Sequence, residues 1–263
     1  MNQKAKKSLG QNFLIDKNFL NLIVDTCKIE ENDTVLEIGP GTGNLTENLI
    51  KKNPSKLIVV EKDDILSNNL NKKFSEKITI IKDDVLNIIN DELKFKKIIV
   101  VGNLPYNISS QILVRWIRLK NLNKISKTLI FMFQKEMADR IIAKTNEKKY
   151  GRLSILSSWK LDVKKIHDLD PKSFFPKPKV ASTLLLFKPK KNFAKINNPK
   201  NLEYLTNIFF NQKRKMIKKP MGILFNNANE IAKKLSIKTT LRPQNLTPET
   251  YFKLCEEYEK SMK

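Results

Sequence analysis

The chain has 263 residues, enough to bury a substantial core in one large domain or in a main domain with a small companion. Its 50 Lys and Arg outnumber 27 Asp and Glu, for a net charge of +23. That excess favours a polyanionic partner through phosphate contacts and counterion release, with a lysine-rich codon bias as the plain alternative. Cys27 and Cys255 lie far apart, neither sits in a CxxC pair, and His167 is the single histidine. This composition argues against a zinc site, a disulfide framework or a histidine-dependent triad, so no metal is expected and His167 is given no functional role. No apolar run approaches the ~18 residues of a membrane span. No apolar stretch follows the basic Met1–Lys7 as it would in a signal peptide, so a cytoplasmic protein with no membrane partner is expected.

Thr34–Ile38 reads as a short strand running into Gly39-Pro40-Gly41-Thr42-Gly43, with a helical pattern over Asn44–Lys52. Lys56–Val60 forms a second strand ending at Glu61. Ile78–Ile81 forms a third, ending at Asp83-Asp84. Lys97–Val101 is a fourth strand leading to Gly102-Asn103, Ser109–Leu119 is helical, and Thr128–Phe133 is a fifth strand. Such alternation predicts a parallel sheet with helices on both faces. Val163–Ile166 and Ala181–Phe187 are two further strands. Between them, Pro176 and Pro178 favour a stiff extended loop over a helix. Beyond Pro199 the chain reads as short helices, including Asn201–Phe210 and Pro248–Tyr258, and a domain boundary is placed near residue 190, giving 1–190 and 191–263.

The glycines of Gly39-Pro40-Gly41-Thr42-Gly43 let a ligand approach the backbone where a strand meets a helix N-terminus. The spacing is not that of a dinucleotide fingerprint, because Asn44 and Thr46 stand where a further glycine is required. Glu61, at the end of the second strand, can accept from ribose hydroxyls; Asp84, with Asp83 as the adjacent alternative, can accept from an adenine amino group. Together these strand ends outline an adenosyl pocket at the carboxyl edge of an open sheet.

Gly102-Asn103-Leu104-Pro105-Tyr106-Asn107 follows the fourth strand, which in a 3-2-1-4-5 sheet lies beside the first. An adenine amino nitrogen shares its lone pair with the ring and is a poor nucleophile. Acceptors on its two N–H bonds favour attack and stabilise the charge that develops. The Asn103 side-chain carbonyl and the Pro105 backbone carbonyl suit that task, and Tyr106 suits stacking on an extruded base. Phe175 is a candidate for the opposite face, with a core phenylalanine beside Phe174 as the plain alternative. A sulfonium methyl donor needs mainly alignment, which fits the lack of a histidine base.

The sequence resembles the ribosomal RNA adenine dimethyltransferases over most of its length. The resemblance rests on Gly10-Gln11-Asn12-Phe13-Leu14, Glu37-Ile38-Gly39-Pro40-Gly41, Asn103-Leu104-Pro105-Tyr106-Asn107-Ile108-Ser109-Ser110, Gln134-Lys135-Glu136, Tyr150-Gly151-Arg152-Leu153-Ser154 and Phe175-Pro176-Lys177-Pro178-Lys179-Val180, in order. It implies an α/β class I S-adenosylmethionine-dependent methyltransferase fold with a small α-helical C-terminal domain. It further implies that Asn12, Leu14, Gly39, Glu61, Asp84 and Asn103 contact S-adenosylmethionine, with Gly41 part of the same turn. Residues alone would leave the segment around Asn12 and Leu14 a basic, flexible lead-in. Leu104 in second place in the acceptor motif, with Asn211-Gln212-Lys213-Arg214-Lys215-Met216, is similar to the branch that dimethylates two adjacent adenosines near the 3′ end of bacterial small-subunit (16S) rRNA. The alternatives are the branch that methylates a large-subunit adenine and confers antibiotic resistance, and a non-catalytic RNA-binding assembly factor; the presence of Glu61, Asp84, Asn103 and Tyr106 counts against the last. Lys213, Arg214, Lys215, Lys218 and Lys219 form a candidate rRNA-phosphate contact, with a solvated basic face as the alternative. Pro220 departs from a continuous helix there and is expected to stop it early. The expected partner is small-subunit rRNA in an immature small ribosomal subunit, met by a monomer.

Overall fold

The computed structural model describes residues 11–90 and 92–262, so Gly10 of the first motif lies outside the described residues. The strands are β1 (Phe13–Leu14), β2 (Thr34–Ile38), β3 (Lys56–Val60), β4 (Thr79–Ile81), β5 (Ile98–Asn103), β6 (Ser126–Gln134), β7 (Leu161–Leu169), β8 (Phe174–Phe175) and β9 (Ser182–Pro189). Seven of them form one sheet in the order β4-β3-β2-β5-β6-β9-β7. The β4-β3-β2-β5-β6 portion is parallel, and β9 runs antiparallel to β6. β2 and β5 are thus neighbours, the arrangement expected of the first and fourth sequence-derived strands. Both faces of this sheet are covered, so its strands carry near-continuous apolar runs: Leu57–Val60 and Ile98–Val101 are buried throughout.

Helix α1 (Lys17–Cys27) shows why its segment is ordered. Asp16 caps it by accepting from Phe19 N at 3.2 Å, and Phe19, Leu20, Ile23, Val24 and Cys27 line one buried stripe. Each such side chain contributes roughly 1.5–3 kcal/mol on full burial. Preceding it, Phe13 and Leu14 are not a flexible lead-in. They pair antiparallel with β8, Phe13 opposite Phe175 and Leu14 opposite Phe174, and Leu14 and Phe174 enter the core. The first two residues of the expected stiff loop therefore form a strand. Between the sheet strands lie α2 (Asn44–Ile50), α3 (Asp64–Phe74), α4 (Val85–Ile88), α5 (Ser109–Arg118) and α6 (Leu122–Ile125).

The remaining helices are α7 (Lys135–Ile142), α8 (Arg152–Lys160), α9 (Pro199–Phe210), α10 (Lys218–Leu224), α11 (Ala228–Lys234) and α12 (Pro248–Ser261). The chain divides into two compact units, one running to Ala138 and including Asp162–Pro189, the other made of Asp139–Leu161 and Lys190–Lys263. A single boundary near residue 190 does not describe this division. The excursion 139–161 belongs with the later helices, because α8 packs on α9 and α12 and the Tyr150 hydroxyl donates to the Leu246 carbonyl at 2.9 Å. Nor does Pro220 stop a helix. It sits in the first turn of α10, where its missing N–H is one of those with no intrahelical acceptor. Among the described residues, no helix is long and apolar enough to cross a membrane.

Candidate active site

A cavity of about 240 Å³ opens at the carboxyl edge of the sheet. Its floor is set by backbone links between strand ends: Gly39 N donates to the Val60 carbonyl at 3.0 Å, and Glu61 N to the Ile81 carbonyl at 3.1 Å. The turn after β2 needs glycine for two reasons at Gly41. Its φ is +59°, and a Cβ there would stand 2.9 Å from the Phe13 ring. Gly102 serves a different close approach, since a Cβ would lie 2.7 Å from the Ile38 carbonyl on the neighbouring strand.

β3 and β4 are each followed by an acid, Glu61 and Asp84, and each of these two acids also holds the fold. Glu61 is buried and accepts from Gly41 N at 3.2 Å and from Asp63 N at 2.9 Å. Burial pushes its carboxyl upward against the pull of those bonds. Further lone pairs remain for a ligand, since a carboxylate has about four acceptor sites. Asp84 caps α4 by accepting from Leu86 N at 2.9 Å, and its other oxygen takes Lys62 Nζ at 2.9 Å. Desolvation raises Asp84, but the bonds from Lys62 and Leu86 outweigh it and hold the group below the usual carboxylate range. The adjacent candidate, Asp83, is turned to local work, accepting from Asp84 N and Asn87 Nδ2.

Glu37 lies inside β2, almost wholly buried, and Thr46 Oγ1 donates to its Oε2 at 2.7 Å. Burial, with Glu61 nearby, pushes its carboxyl up to about 8, against the hydrogen bond from Thr46. Its role was not legible beyond membership of the glycine motif, although a carboxylate inside an apolar strand run is itself a signal of function. Lys62 was likewise not legible; its one cue in the sequence is its place next to Glu61 at the end of β3.

The acceptor loop meets the N-terminal ribbon here. Asn103 Nδ2 donates to the Asn12 carbonyl at 2.8 Å, and Asn44 Nδ2 donates to the Leu14 carbonyl at 2.8 Å. The first bond fixes the Asn103 amide with its nitrogen toward Asn12 and leaves Oδ1 as an acceptor. The Pro105 carbonyl accepts from Ile108 N at 3.1 Å, which uses one of its two lone pairs. The Tyr106 hydroxyl lies 2.6 Å from Ser182 Oγ, and burial raises its pKa.

The structure therefore brings Asn12, Leu14, Gly39, Gly41, Glu61, Asp84, Asn103, Pro105 and Tyr106 to one cavity. Phe175 does not line it. It is 60% exposed, opposite Phe13, which does, and it is Phe174 that fills the core.

In the second unit, Arg214, Lys215, Lys218 and Lys219 are exposed. Lys213 is not free for phosphate in the same way: its Nζ donates to the Lys148 and Tyr150 carbonyls at 2.7 and 2.6 Å. Burial lowers its pKa, helped by Arg140.

A sequence profile described as "Ribosomal RNA adenine dimethylase" matches residues 2–260. The chain belongs to the ribosomal RNA adenine dimethylase family. A family relative, the "Ribosomal RNA small subunit methyltransferase A" of Pelagibacter ubique (strain HTCC1062), is 57% identical over 256 residues, covering 97% of each chain. Among solved structures, a dimethyladenosine transferase from Plasmodium falciparum superposes with a TM-score of 0.76 at 26% identity, covering 95% of this chain and 98% of that one. The 23S rRNA methyltransferase ErmE shares the fold at a TM-score of 0.69 and 21% identity, covering 94% of this chain and all of that one (100%). The chain thus has the class I methyltransferase fold, with a mostly parallel seven-stranded sheet and a helical C-terminal region.

Proposed function

We propose that this protein transfers methyl groups from S-adenosylmethionine to the N6 amino groups of two adjacent adenosines near the 3′ end of small-subunit rRNA, acting as a cytoplasmic monomer on immature small subunits. The observation that carries this reading is the Asn103 amide, fixed by the Asn12 carbonyl in the cavity beside the glycine turn. The cavity suits the donor, because its turn is kept bare of side chains at Gly39 and Gly41 and its acids retain acceptor capacity. The donor supplies a methyl carbon on a positively charged sulfur.

The chain's own residues bind and align. Glu61 would accept from ribose hydroxyls and Asp84 from the donor's adenine amino group, while Asn12, Leu14, Gly39 and Gly41 would enclose the rest. Asn103 Oδ1 and the free lone pair of the Pro105 carbonyl would accept from the two N–H bonds of the target amine, orienting its lone pair and stabilising the charge that develops on nitrogen. Tyr106 stacks on one face of the extruded base and Phe175 on the other. Arg214, Lys215, Lys218 and Lys219 meet rRNA phosphates, and Lys213 holds the segment that carries them. The small-subunit target is supported by the name of the Pelagibacter relative and by Leu104 in the acceptor motif.

The test is mass spectrometry of rRNA nucleosides after incubating protein and donor with under-methylated small subunits, and separately with large-subunit RNA. Dimethyladenosine in the small-subunit sample alone is expected. Product only in large-subunit RNA would overturn the reading in favour of the resistance branch. No product in either, with the donor still bound, would overturn it in favour of a non-catalytic role.

A further inference from the structure

Tyr106 sits on the loop after β5, yet it is tied at both ends. Its backbone carbonyl accepts from Ser109 Oγ at 3.2 Å, and its phenol oxygen lies 2.6 Å from Ser182 Oγ. Ser182 has no exposed surface and opens β9, where it stands opposite Gln134 of β6. The residue before it is also fixed, its carbonyl accepting from Lys135 N at 2.9 Å. The serine hydroxyl is therefore presented by a rigid sheet strand, and the tyrosine by a loop. A phenylalanine would give the same stacking surface without desolvating a phenol, and burial already penalises ionisation of this one. The hydroxyl's return is geometric: a hydrogen bond at the far end of the ring fixes where that end sits, and with it the swing of the ring about χ1.

We propose that Ser182 is a positioning residue for methyl transfer, fixing where the Tyr106 ring stands beside the target base. The inference rests on the function proposed above. The two rings proposed to sandwich the base are placed by separate strand pairings, Phe175 by β8 on β1 and the Tyr106 phenol, through Ser182, by β9 on β6. A base held off angle keeps most of its binding contacts but loses alignment of nitrogen, carbon and sulfur, so the effect falls on the chemical step.

The experiment is a kinetic cycle in the full-length protein on under-methylated small subunits: Ser182→Ala, Tyr106→Phe and the double variant, with kcat, KM, donor affinity and melting temperature measured for each. If Ser182 acts through the phenol, each single variant lowers kcat about tenfold with donor affinity unchanged, and the double variant is no slower than either single. A purely structural serine would instead lower melting temperature without that kcat signature. Wild-type kcat in Ser182→Ala, or losses that multiply in the double variant, would overturn the proposal. Should Ser182→Ala not fold, Tyr106→Phe removes the same bond from the loop side, and wild-type kcat there is equally fatal. Failure of the unaltered protein to methylate small subunits is a separate outcome, which overturns the functional reading and this inference with it.

Discussion

The carboxyl edge of the sheet and the basic stretch around Lys213–Lys219 are both rich in charge, but the charges stand in different relations to the fold. At the edge, Glu61 holds two backbone N–H groups, Asp84 caps a helix and pairs with Lys62, and Asn103 ties β5 to the N-terminal ribbon. In the basic stretch, among the described residues, Lys213 is the one of the five proposed cations whose side chain is bonded to backbone carbonyls, and the other four side chains are exposed. A small ligand must be met by groups placed to a fraction of an ångström, and such placement comes from groups that also carry structural bonds. A polyanion is met by charge density, which tolerates side chains that the fold does not use.

The sharpest way to break this comparison is Asn103→Ala. It removes both the proposed acceptor for the target amine and the bond to the Asn12 carbonyl. Turnover should fall by about 100-fold, the order seen when one preorganised group is removed from a developing charge, while RNA binding is retained. Turnover close to that of the unaltered protein would detach the amide from the chemistry.

A second variant separates burial from function at Glu37. Its folded carboxyl is pushed up to about 8 from an ordinary value of 4.5. Between those values the folded protein holds a proton that the unfolded chain releases. This contribution to stability is therefore complete below pH 4.5 and is lost as pH rises through about 8. Glu37→Gln has no proton to lose. Across that window the unaltered protein should lose stability on the order of a few kcal/mol more than the variant. Glu61, shifted upward too, remains in both and contributes its own slope. Identical pH profiles of melting temperature would show that Glu37 titrates normally.

The smallest effects sharpen the contrast within the basic stretch. Lys213→Ala leaves two backbone carbonyls without their donor and should cost about 1–3 kcal/mol, read as a lowered melting temperature. The combined Arg214, Lys215, Lys218 and Lys219 change to alanine should leave melting temperature and donor affinity in place. It should instead flatten the salt dependence of particle binding, by a slope of about 0.7–0.9 for each phosphate that is no longer neutralised. Unchanged particle binding at matched salt would remove these four from the interface.

Much of the edge was legible because its physics is local. Thr34–Ile38 and Lys56–Val60 are apolar runs terminated by a glycine turn and an acid, and both strands have those bounds. The N-terminal ribbon was not legible from the residues alone. Two residues carry no periodicity, and the pairing that orders them is far away in sequence, with Ser173 Oγ donating to Asp16 across 157 positions. Only the family resemblance pointed to Asn12 and Leu14. The excursion 139–161 was hidden for the same reason, since its partners are α9 and α12. The Tyr106–Ser182 bond joins the acceptor motif to the first residue of β9, and their proximity depends on the β5-β6-β9 order, which no local pattern encodes.

The pairing of Phe13–Leu14 with Phe174–Phe175 also sets a condition on when the enzyme can exist. A chain released from synthesis before Phe174 would already contain the glycine turn, Glu61, Asp84 and the acceptor loop. It would lack the strand that seats Asn12 against Asn103 and Phe13 over Gly41. Incomplete chains therefore carry every acid of the proposed donor site but lack the strand that pairs with its N-terminal wall, so residues made early wait on a late partner before that pairing is whole.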